Sequence, residues 1–328
     1  MTAATTAANP SNKLDLGLFL PIWEDKEGKA TTWPQVRELA KMADEAGIDS
    51  LWVPDHFLIY PTWGYWEAWT MLSAIAEATT HATIGPLVTC TSFRQPAHLA
   101  LMAHTLNEIS EGRLILGLGA GYPDRDLSWS AFGYPTDHPA GRFEEAIEII
   151  VRLLREGRLD FHGKYYHLEG CDLRLRSASV PPVWVGAIGP RMLRLTAQWA
   201  DACNLRAFAD EIDAMPATLA RVDQACRDVG RDPATLARTA FTMLSFAEPG
   251  TDLTRYRSKP LLGSPEEQAL KLHALHRMGL QHVACIIDPY DKPGPLTQYP
   301  IFTPAALEHF LRVRDELRKL EAAKPSQP

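Results

Sequence analysis

The stretch WPQVRELAKMADEAGIDSLWV, residues 33–53, contains the unit that decides the fold. Apolar residues recur along its first part at the spacing of a helix with one buried face. They are Val36, Leu39, Ala40, Ala43 and Ala46. Gly47 can end this helix, because glycine readily adopts the left-handed conformation found at helix C-termini. The mostly apolar segment 50–53 (SLWV) then predicts a strand, so the stretch consists of one helix and one strand.

The same alternation runs through the whole chain. Strands are predicted at 14–20, 50–53, 83–89, 113–118, 183–186, 202–205, 238–246 and 282–287. Helices are predicted at 33–46, 67–78, 96–109, 142–155, 190–200, 211–229, 265–278 and 303–320. Parallel strands need right-handed crossovers, and eight strand–helix pairs close such a sheet on itself. We therefore predict the α/β class and one (β/α)8 TIM-barrel domain over residues 14–322.

Two stretches interrupt this alternation. Residues 157–182 contain FHGKYYHL and are predicted to form a small β-hairpin inserted before strand five, while residues 247–262 form a loop inserted after strand seven. Long loops on a barrel commonly form lids and substrate walls. Outside the barrel, we expect residues 1–13 to be a disordered leader and residues 323–328 a flexible tail.

The composition excludes several classes of function. The chain has 328 residues, 33 Lys and Arg against 40 Asp and Glu, and a formal net charge of −7. Without a basic run, nucleic acid and anionic membranes are not expected as partners. No apolar run approaches the ~18 residues of a membrane span. The first 13 residues lack the apolar core of a secretory signal, so we expect a cytoplasmic protein.

The cysteines and histidines indicate neither a disulfide framework nor a metal site. The five cysteines are odd in number and far apart, which is typical of thiols in a reducing compartment, although a nucleophilic Cys90 is an alternative. No H-E-x-x-H or calcium-loop motif occurs. The histidine pairs at 162 and 167 and at 273 and 276 belong to the insertion and to a predicted helix, so no metal ligand is predicted.

Candidate functional residues follow strand two, at the end of a barrel where active sites form. Asp55 and His56 emerge there together, and an imidazole can donate or accept a proton near neutral pH. A polar pair that only holds a loop is the structural alternative. The next loop, 58–69, is rich in aromatic residues that suit a flat apolar ligand, although some of them can be core residues.

Glycine-rich segments follow strands four and five. Residues 117–121 (GLGAG) leave backbone N–H groups open to an oxyanion or a flat ring, or serve a turn. They are a poor dinucleotide fingerprint, because the third glycine is misplaced and residues 122–124 separate them from any helix. Residues 186–191 (GAIGPR) predict a phosphate cradle, because Pro190 and Arg191 lie at the N-terminus of a helix. A plain turn is again the alternative.

The order of these segments resembles the luciferase-like monooxygenase superfamily of flavin- and deazaflavin-dependent barrel enzymes. The matching segments are 16–19 (LGLF), 50–57 (SLWVPDHF), 84–89 (IGPLVT), 93–96 (FRQP), 112–121 (GRLILGLGAG) and 186–194 (GAIGPRMLR). Within the superfamily, the Asp-His-Phe and Gly-Pro-Arg-Met-Leu-Arg-Leu runs are similar to the branch that uses coenzyme F420. Some FMN-dependent members carry a similar histidine, so FMN is the alternative cofactor.

The resemblance implies roles for individual residues. His56 and Asp55 are the implied catalytic residues, with His56 exchanging the proton that accompanies hydride transfer and Asp55 beside the ring. Leu87 and Val88, in family members often joined by a cis peptide, would press on the back of the ring. The implied cofactor-binding residues are Asp55, Leu87, Val88, Thr89, Gly119, Ala120, Gly121, Gly186, Ile188, Gly189, Pro190 and Arg191. The implied substrate-wall residues are Trp63, Tyr65, Trp66 and Tyr122.

The function implied by the resemblance is hydride transfer between coenzyme F420 and a small organic substrate, in a homodimer formed through barrel helices. Tyr122 stands where several deazaflavin dehydrogenases have a glutamate, which argues against sugar-phosphate oxidation. One alternative is an FMN-dependent monooxygenase that uses reduced flavin and O2 and needs a separate flavin reductase. The other is a non-catalytic flavin-binding barrel. An unrelated phosphate-binding barrel, such as an aldolase or isomerase, would normally need a lysine base or metal-binding carboxylates at its strand ends, and no predicted strand end offers a lysine.

Overall fold

The computed structural model describes residues 13–24, 28–59, 63–124, 126–187, 189–246, 258–288 and 304–323. The strands are β1 (Asp15–Phe19), β2 (Ser50–Val53), β3 (Leu58–Ile59), β4 (Trp63–Gly64), β5 (Thr83–Pro86), β6 (Thr89–Cys90), β7 (Leu116–Gly119), β8 (Arg158–His162), β9 (His167–Asp172), β10 (Val183–Gly186), β11 (Ala202–Arg206), β12 (Ala237–Ser245) and β13 (His282–Asp288). The α-helices are α1 (Trp33–Glu45), α2 (Ala68–Ala78), α3 (Pro96–Ile109), α4 (Ser128–Ala131), α5 (Pro139–Glu156), α6 (Pro190–Trp199), α7 (Met215–Asp228), α8 (Pro265–Arg277) and α9 (Pro304–Ala322).

The main sheet is parallel and closes into a barrel. Its nine segments follow the order β5-β2-β1-β13-β12-β11-β10-β7-β6. β5 and β6 are two parts of one strand, because Ile84 of β5 exchanges backbone hydrogen bonds with Arg113 and Ile115, just before β7, and β6 pairs with β7 itself. Eight strand positions therefore surround the barrel, which confirms the predicted TIM-barrel fold.

The barrel interior is filled by large aromatic side chains, and glycines make room for them. The rings of Trp52 and Trp184 lie 4.9 Å apart, centroid to centroid. A Cβ atom on Gly17 would lie 2.4 Å from Nε1 of Trp52. One on Gly85 would lie 2.2 Å from the carbonyl oxygen of Ile115. Protein interiors are packed about as densely as organic crystals, so they have little room for added atoms. A side chain at either glycine would therefore displace the neighbouring groups.

A buried polar network lies at the amino ends of β2 and β13. Nε1 of Trp52 donates to Oγ of Ser50 at 2.6 Å, and Oγ of Ser50 lies 2.8 Å from Nε2 of His282. Burial lowers the pKa of His282 to about 4, so this imidazole is neutral in the folded protein near pH 7. The network lies at the end of the barrel opposite the candidate site, where residues contribute to stability rather than to catalysis.

The insertion before strand five forms the predicted hairpin, because β8 and β9 pair in antiparallel fashion. Of the insertion after strand seven, residues 247–257 lie outside the described residues, as do residues 1–12 of the predicted leader and 324–328 of the predicted tail. Two elements were not predicted: the antiparallel ribbon of β3 and β4, and the short helix α4. No helix in the described part of the chain combines the length and apolar character that a membrane crossing requires.

Candidate active site

The centre of the candidate site is a hydrogen bond between His56 and Asp126 at the carboxyl ends of the strands. His56 follows β2, and Asp126 lies in the loop after β7. Their Nδ1 and Oδ2 atoms are 2.7 Å apart. The Asp126 side chain is almost buried, whereas the His56 side chain is about a third exposed, at 36%. The imidazole of His56 therefore lies at the barrel mouth and is hydrogen-bonded to a buried carboxylate.

The hydrogen bonds of Asp126 keep its carboxyl group ionised. Burial acts to raise its pKa, but the hydrogen bonds from His56 and Ser128 outweigh burial, so the pKa lies below its ordinary value. Oδ1 accepts from the backbone N–H of Ser128 at 2.8 Å. Because the carboxylate can only accept, the Nδ1 atom of His56 must carry the proton that they share. Nε2, the ring nitrogen that takes no part in this bond, is then the acceptor in the neutral imidazole.

The loop that carries His56 is tied to α4. The hydroxyl oxygen of Ser128 accepts from the backbone N–H groups of Phe57 at 3.0 Å and Leu58 at 2.9 Å. The Tyr65 ring stands edge-on to the His56 ring, with centroids 5.6 Å apart. The two residues that follow His56 are therefore held by Ser128, and the Tyr65 ring packs against the imidazole, which limits its rotation.

Asp55 lies beside His56 in sequence but takes up different partners. Its buried carboxylate accepts from both terminal nitrogens of Arg94, at 2.6 and 3.0 Å, and from the backbone N–H of Cys90 at 3.1 Å. Arg94 also donates to Glu67 at 2.5 Å. Burial acts to lower the pKa of Arg94, but Asp55 and Glu67 outweigh it and the pKa is raised. Asp55 therefore ties the end of β2 to β6 and to the start of α3.

The floor of the site is the junction between β5 and β6. The peptide bond between Leu87 and Val88 is cis, as the resemblance implies. The Val88 side chain lies under the ends of β7 and β10, because a Cβ atom would come within 2.6 Å of it from Gly119 and 3.6 Å from Gly186. The Thr89 hydroxyl accepts from the Trp69 indole of α2 at 3.2 Å, so the Thr89 side chain faces the helix layer.

The glycines at the end of β7 and just after it, Gly119 and Gly121, bring the backbone close to its neighbours. Gly121 has a φ of +75°, which favours glycine, and a Cβ atom there would lie 2.6 Å from both Sγ of Cys90 and Cζ2 of Trp129. Thr91 Oγ1 donates to the carbonyl of Gly119 at 3.3 Å, and Ala120 is half-buried between the two glycines. The small residues at this strand end are therefore required by packing as well as available to a ligand.

Cys90 does not have the properties of a nucleophile. Its side chain is buried, and burial and the neighbouring Asp55 charge raise the pKa of its thiol. The reactive form of cysteine is the thiolate, which this environment disfavours.

The predicted phosphate cradle lies at the start of α6. Gly186 ends β10, Gly189 is the N-cap of α6, and Pro190 occupies its first turn. A Cβ atom on Gly189 would meet no atom of the described residues within 4 Å, so this backbone faces open space. Helix N-termini with free N–H groups favour anions. Ile188, predicted as part of the cradle, lies outside the described residues.

Charged groups flank this cradle. Arg191 and Arg194 both donate to the carboxylate of Glu144 on α5, at 2.5 and 2.6 Å, which leaves one net positive charge among the three groups. These hydrogen bonds, with that from Arg191 first, hold the pKa of Glu144 below its ordinary range. An open cavity of about 370 Å³ adjoins Arg191 and is lined by the first two turns of α5, which include Glu144 and Glu145, and by Lys164 and Tyr165 of the hairpin turn. An anion at α6 would therefore be met by backbone N–H groups and by guanidinium.

The predicted substrate-wall residues differ in their surroundings. Trp66 is 48% exposed, and its indole N–H donates to the Thr31 carbonyl at 2.7 Å. Tyr122 is 55% exposed, and Tyr65 contacts His56 as described above. Trp63 belongs to β4, and its side chain lies outside the described part of the structure. Tyr65, Trp66 and Tyr122 therefore remain predictions for the substrate wall, with Tyr65 adjacent to the imidazole.

Three groups of functional interest were missed in the sequence: Asp126, Arg94 and an aromatic cluster. The cluster packs beneath the His56 loop, with Phe57 and Phe93 centroids 5.0 Å apart. Arg94 lies in the FRQP segment that supports the family resemblance, and that position was the available signal. Asp126 shares its loop with Asp124, so nothing in the spacing distinguishes it.

Comparisons with known proteins find similar sequences and folds. A family model described as luciferase-like monooxygenase matches residues 14–284. The 5,10-methylenetetrahydromethanopterin reductase of Archaeoglobus fulgidus is 30% identical over 220 residues, which are 67% of this chain and 61% of that protein's length. This chain therefore matches less than two thirds of that relative.

Two solved structures have a similar fold. An F420-dependent secondary alcohol dehydrogenase in complex with an F420–acetone adduct has a TM-score of 0.75 at 18% identity, covering 93% of this chain and 99% of that one. A riboflavin lyase with modified FMN and riboflavin has a TM-score of 0.75 at 15% identity, covering 95% and 93%. At these identities the likeness concerns the barrel fold alone.

Proposed function

The chain belongs to the luciferase-like monooxygenase family, and from that premise we propose that it is an oxidoreductase that transfers a hydride between the deazaflavin coenzyme F420 and a small organic substrate. The observation that carries the proposal is the pair formed by His56 and Asp126 at the barrel mouth. The F420-dependent glucose-6-phosphate dehydrogenase of Amycolatopsis mediterranei, which is 33% identical over 168 residues, or half of each chain, supports the choice of cofactor.

His56 is the proposed catalytic residue, and it acts on a proton. When bound, the deazaflavin supplies or accepts the hydride. Nε2 of His56 points away from the Asp126 bond, and it gives up or receives the proton that accompanies this transfer. The ionised Asp126 fixes the imidazole tautomer and stabilises the imidazolium when His56 is protonated. Asp126 is therefore a positioning residue in this proposal.

Asp55 has a different proposed role from the one that the resemblance implies. Both of its carboxylate oxygens are hydrogen-bonded to Arg94, and its side chain is buried. Such a carboxylate is poorly placed to exchange protons with a ligand. We assign Asp55 to holding the backbone of the His56 loop against β6, with its chain neighbour facing the cofactor.

The residues of the barrel mouth fit a flat ring with a phosphorylated tail. Val88 offers an apolar floor, and Gly119 and Gly186 keep its surroundings free of side chains. The open space before Gly189 is the place where a side chain would block an anion, and Arg191 lies beside it. Leu87, Thr89, Ala120, Gly121 and Pro190 belong to the same strand ends and stay predicted contacts, mostly through their backbone.

A second candidate function is an FMN-dependent monooxygenase that uses reduced flavin and O2. The similarity in fold to a riboflavin lyase containing modified FMN supports it. The glycine cradle accepts the phosphate of either cofactor, so it does not discriminate between the two. In this case a separate flavin reductase would be the partner protein.

Titration of the purified chain with F420 and with FMN, followed by absorbance and fluorescence, tests the choice of cofactor. We expect F420 to bind more tightly, and turnover to follow with an alcohol, an enone or a nitroaromatic compound. Tighter binding of FMN, with oxygen uptake, would favour the monooxygenase. Binding of either cofactor without turnover of any substrate would favour the non-catalytic barrel.

A matched pair of variants separates binding from chemistry. His56→Ala should keep the F420 dissociation constant and lower turnover by about 10²–10⁴-fold, the usual contribution of general acid–base catalysis. Gly189→Val should do the reverse and weaken F420 binding by at least about tenfold, or about 1.4 kcal/mol. Because φ at residue 189 is −92°, valine is compatible with the backbone and the apoprotein should remain folded.

We also propose a homodimer in the cytoplasm. Leu101 and Ile109 on α3 are exposed, at 39% and 43%, and supply apolar surface for contact between outer helices. Light scattering coupled to size-exclusion chromatography measures the mass directly. A mass of 36.5 kDa would mean a monomer and would refute the dimer.

A further inference from the structure

The outer face of the β8–β9 hairpin carries three potential metal ligands that the proposed reaction does not use. They are His162, His167 and Glu169, and all three are exposed. Their ligand atoms lie within 4.8 Å of one another. We propose that this face is a binding site for a divalent transition-metal ion of the zinc type. No such site was predicted from the sequence, because spacing alone did not show that the two histidines meet.

The hairpin register brings the two histidines together. His162 and His167 are directly opposite each other in the antiparallel pair, on either side of the turn formed by residues 163–166. Opposed residues on one face of such a pair have neighbouring side chains. Nδ1 of His162 is 3.2 Å from Nε2 of His167, and that Nε2 atom is 3.1 Å from Oε1 of Glu169. Two residues further along β9, Glu169 is on the same face as His167.

These two separations are close to the edge length of a coordination tetrahedron, and the third lies within the 4.8 Å that joins all three ligand atoms. With metal–nitrogen bonds of about 2.0–2.1 Å and tetrahedral angles, neighbouring donor atoms lie about 3.3 Å apart. Two imidazoles and one carboxylate suit zinc, nickel or copper, whereas magnesium and calcium prefer oxygen ligands. Three protein ligands leave the fourth position of a tetrahedral zinc ion for water.

The turn that joins the two strands is held in place without a metal. Glu145 of α5 accepts from the backbone N–H groups of Lys164, Tyr165 and Tyr166, at 2.7, 2.8 and 3.0 Å. The N–H of Gly163 donates to the carbonyl of Tyr166 at 2.9 Å. Since the scaffold is already ordered, the metal does not have to fix the hairpin in order to bind, and preorganisation of this kind favours affinity.

The position of the hairpin gives the metal a physical consequence. The same turn places Lys164 and Tyr165 on the wall of the cavity beside Arg191. A metal ion that joins β8 to β9 clamps the strands that carry this wall. It also stabilises the folded chain by mass action, because the unfolded chain does not keep the three ligands together.

Isothermal titration of Zn²⁺ into the full chain, free of any histidine tag and pretreated with chelator, tests the site. We expect one zinc ion per chain and a higher thermal midpoint with zinc. His162→Ala and His167→Ala should each weaken binding by at least about tenfold, and Glu169→Gln by less. The matched control is His98→Ala, which removes one exposed imidazole from α3 and should leave zinc affinity unchanged.

Two results would overturn the proposal: no zinc binding by the parent chain up to about 1 mM, or equal affinity in the parent and both hairpin variants. Thermal midpoints without zinc show whether each variant is folded. If a histidine variant does not fold, competition in the parent decides the matter. Nickel should displace zinc from the proposed site and magnesium at about 1 mM should not, and displacement by magnesium would contradict a histidine site.

Discussion

The most informative perturbation of the proposed active site is Asp126→Asn. Asparagine keeps the shape of the side chain but removes the charge. It also offers an N–H group where Oδ2 now accepts from Nδ1 of His56 at 2.7 Å. An amide that donates to Nδ1 would place the ring proton on Nε2, which is the wrong tautomer for accepting a proton there. The substitution therefore acts on the chemistry of His56 and not on the cofactor cradle.

The size of the effect follows from the lost interaction. A hydrogen bond to a charged group contributes about 1.5–3 kcal/mol, which corresponds to about 10- to 150-fold in rate. Because the His56 side chain is 36% exposed, water can replace part of the interaction, and the lower half of that range is expected. Because the pKa of Asp126 lies below its ordinary value, the carboxylate stays charged and stabilises the His56 imidazolium across the neutral and mildly acidic range.

The assay is steady-state turnover at several pH values, together with the F420 dissociation constant. Asp126→Asn should lower kcat about ten- to fortyfold, keep cofactor affinity within about twofold and change the pH profile of kcat. Asp124→Asn is the matched control, because Asp124 is an exposed carboxylate in the same loop. An unchanged kcat in Asp126→Asn, or an equal loss of kcat in both variants, would refute this role of Asp126.

Three further predictions concern stability. Asp55→Asn leaves Arg94 with less compensation in a buried site and should lower the free energy of unfolding by about 3 kcal/mol in urea denaturation; no change would mean that the pair is not buried in solution. Gly121→Ala should lower the free energy of unfolding by more than about 2 kcal/mol, because φ there is +75° and the new Cβ atom would lie 2.6 Å from its neighbours. Gly133→Ala is the control: φ is +74°, but no described atom lies within 4 Å of the new Cβ atom, so the loss should be only about 1 kcal/mol. The pKa of His282 falls from 6.5 to about 4 on folding, so about 3 kcal/mol of the free energy of unfolding is present above pH 6.5 and is lost as the pH falls towards 4. His282→Gln should reduce this part of the pH dependence of stability.

The barrel could be predicted from the sequence because its signals are local and repeated. Each strand is a short apolar run, and in each helix apolar residues recur at the helical spacing of three or four residues. The hairpin before strand five was likewise visible as two short segments around Gly163 and Lys164. Errors of one or two residues at the element ends do not affect the topology, because the order of the elements determines it.

The partners of the site residues could not be predicted in the same way. Asp55 and His56 are adjacent, and sequence alone gives no reason for Asp55 to turn towards Arg94, which is 39 residues away. Asp126 reaches His56 across 70 residues, through a loop whose path depends on α4. Contacts between loops depend on the barrel that brings strand ends together, so they appear only when the fold is known.

The resemblance to the family supplied what the residue pattern did not. It implied the peptide between Leu87 and Val88 as cis, and the structure has that geometry. It also implied a catalytic role for Asp55. Because Asp55 forms a buried ion pair with Arg94, we propose instead that it positions the His56 loop. A role that the family implies for a residue must therefore be checked against the contacts that the residue makes in this chain.

The central claim is that the barrel mouth holds a deazaflavin ring over Val88, with its phosphate at the start of α6 and its reactive face towards His56. A crystal structure of the chain with bound F420 is the most direct measurement. We expect Nε2 of His56 to lie within about 3.2 Å of the cofactor or substrate, and the phosphate to lie within hydrogen-bonding distance of the backbone near Gly189. F420 bound elsewhere, or bound with its phosphate away from α6, would contradict it.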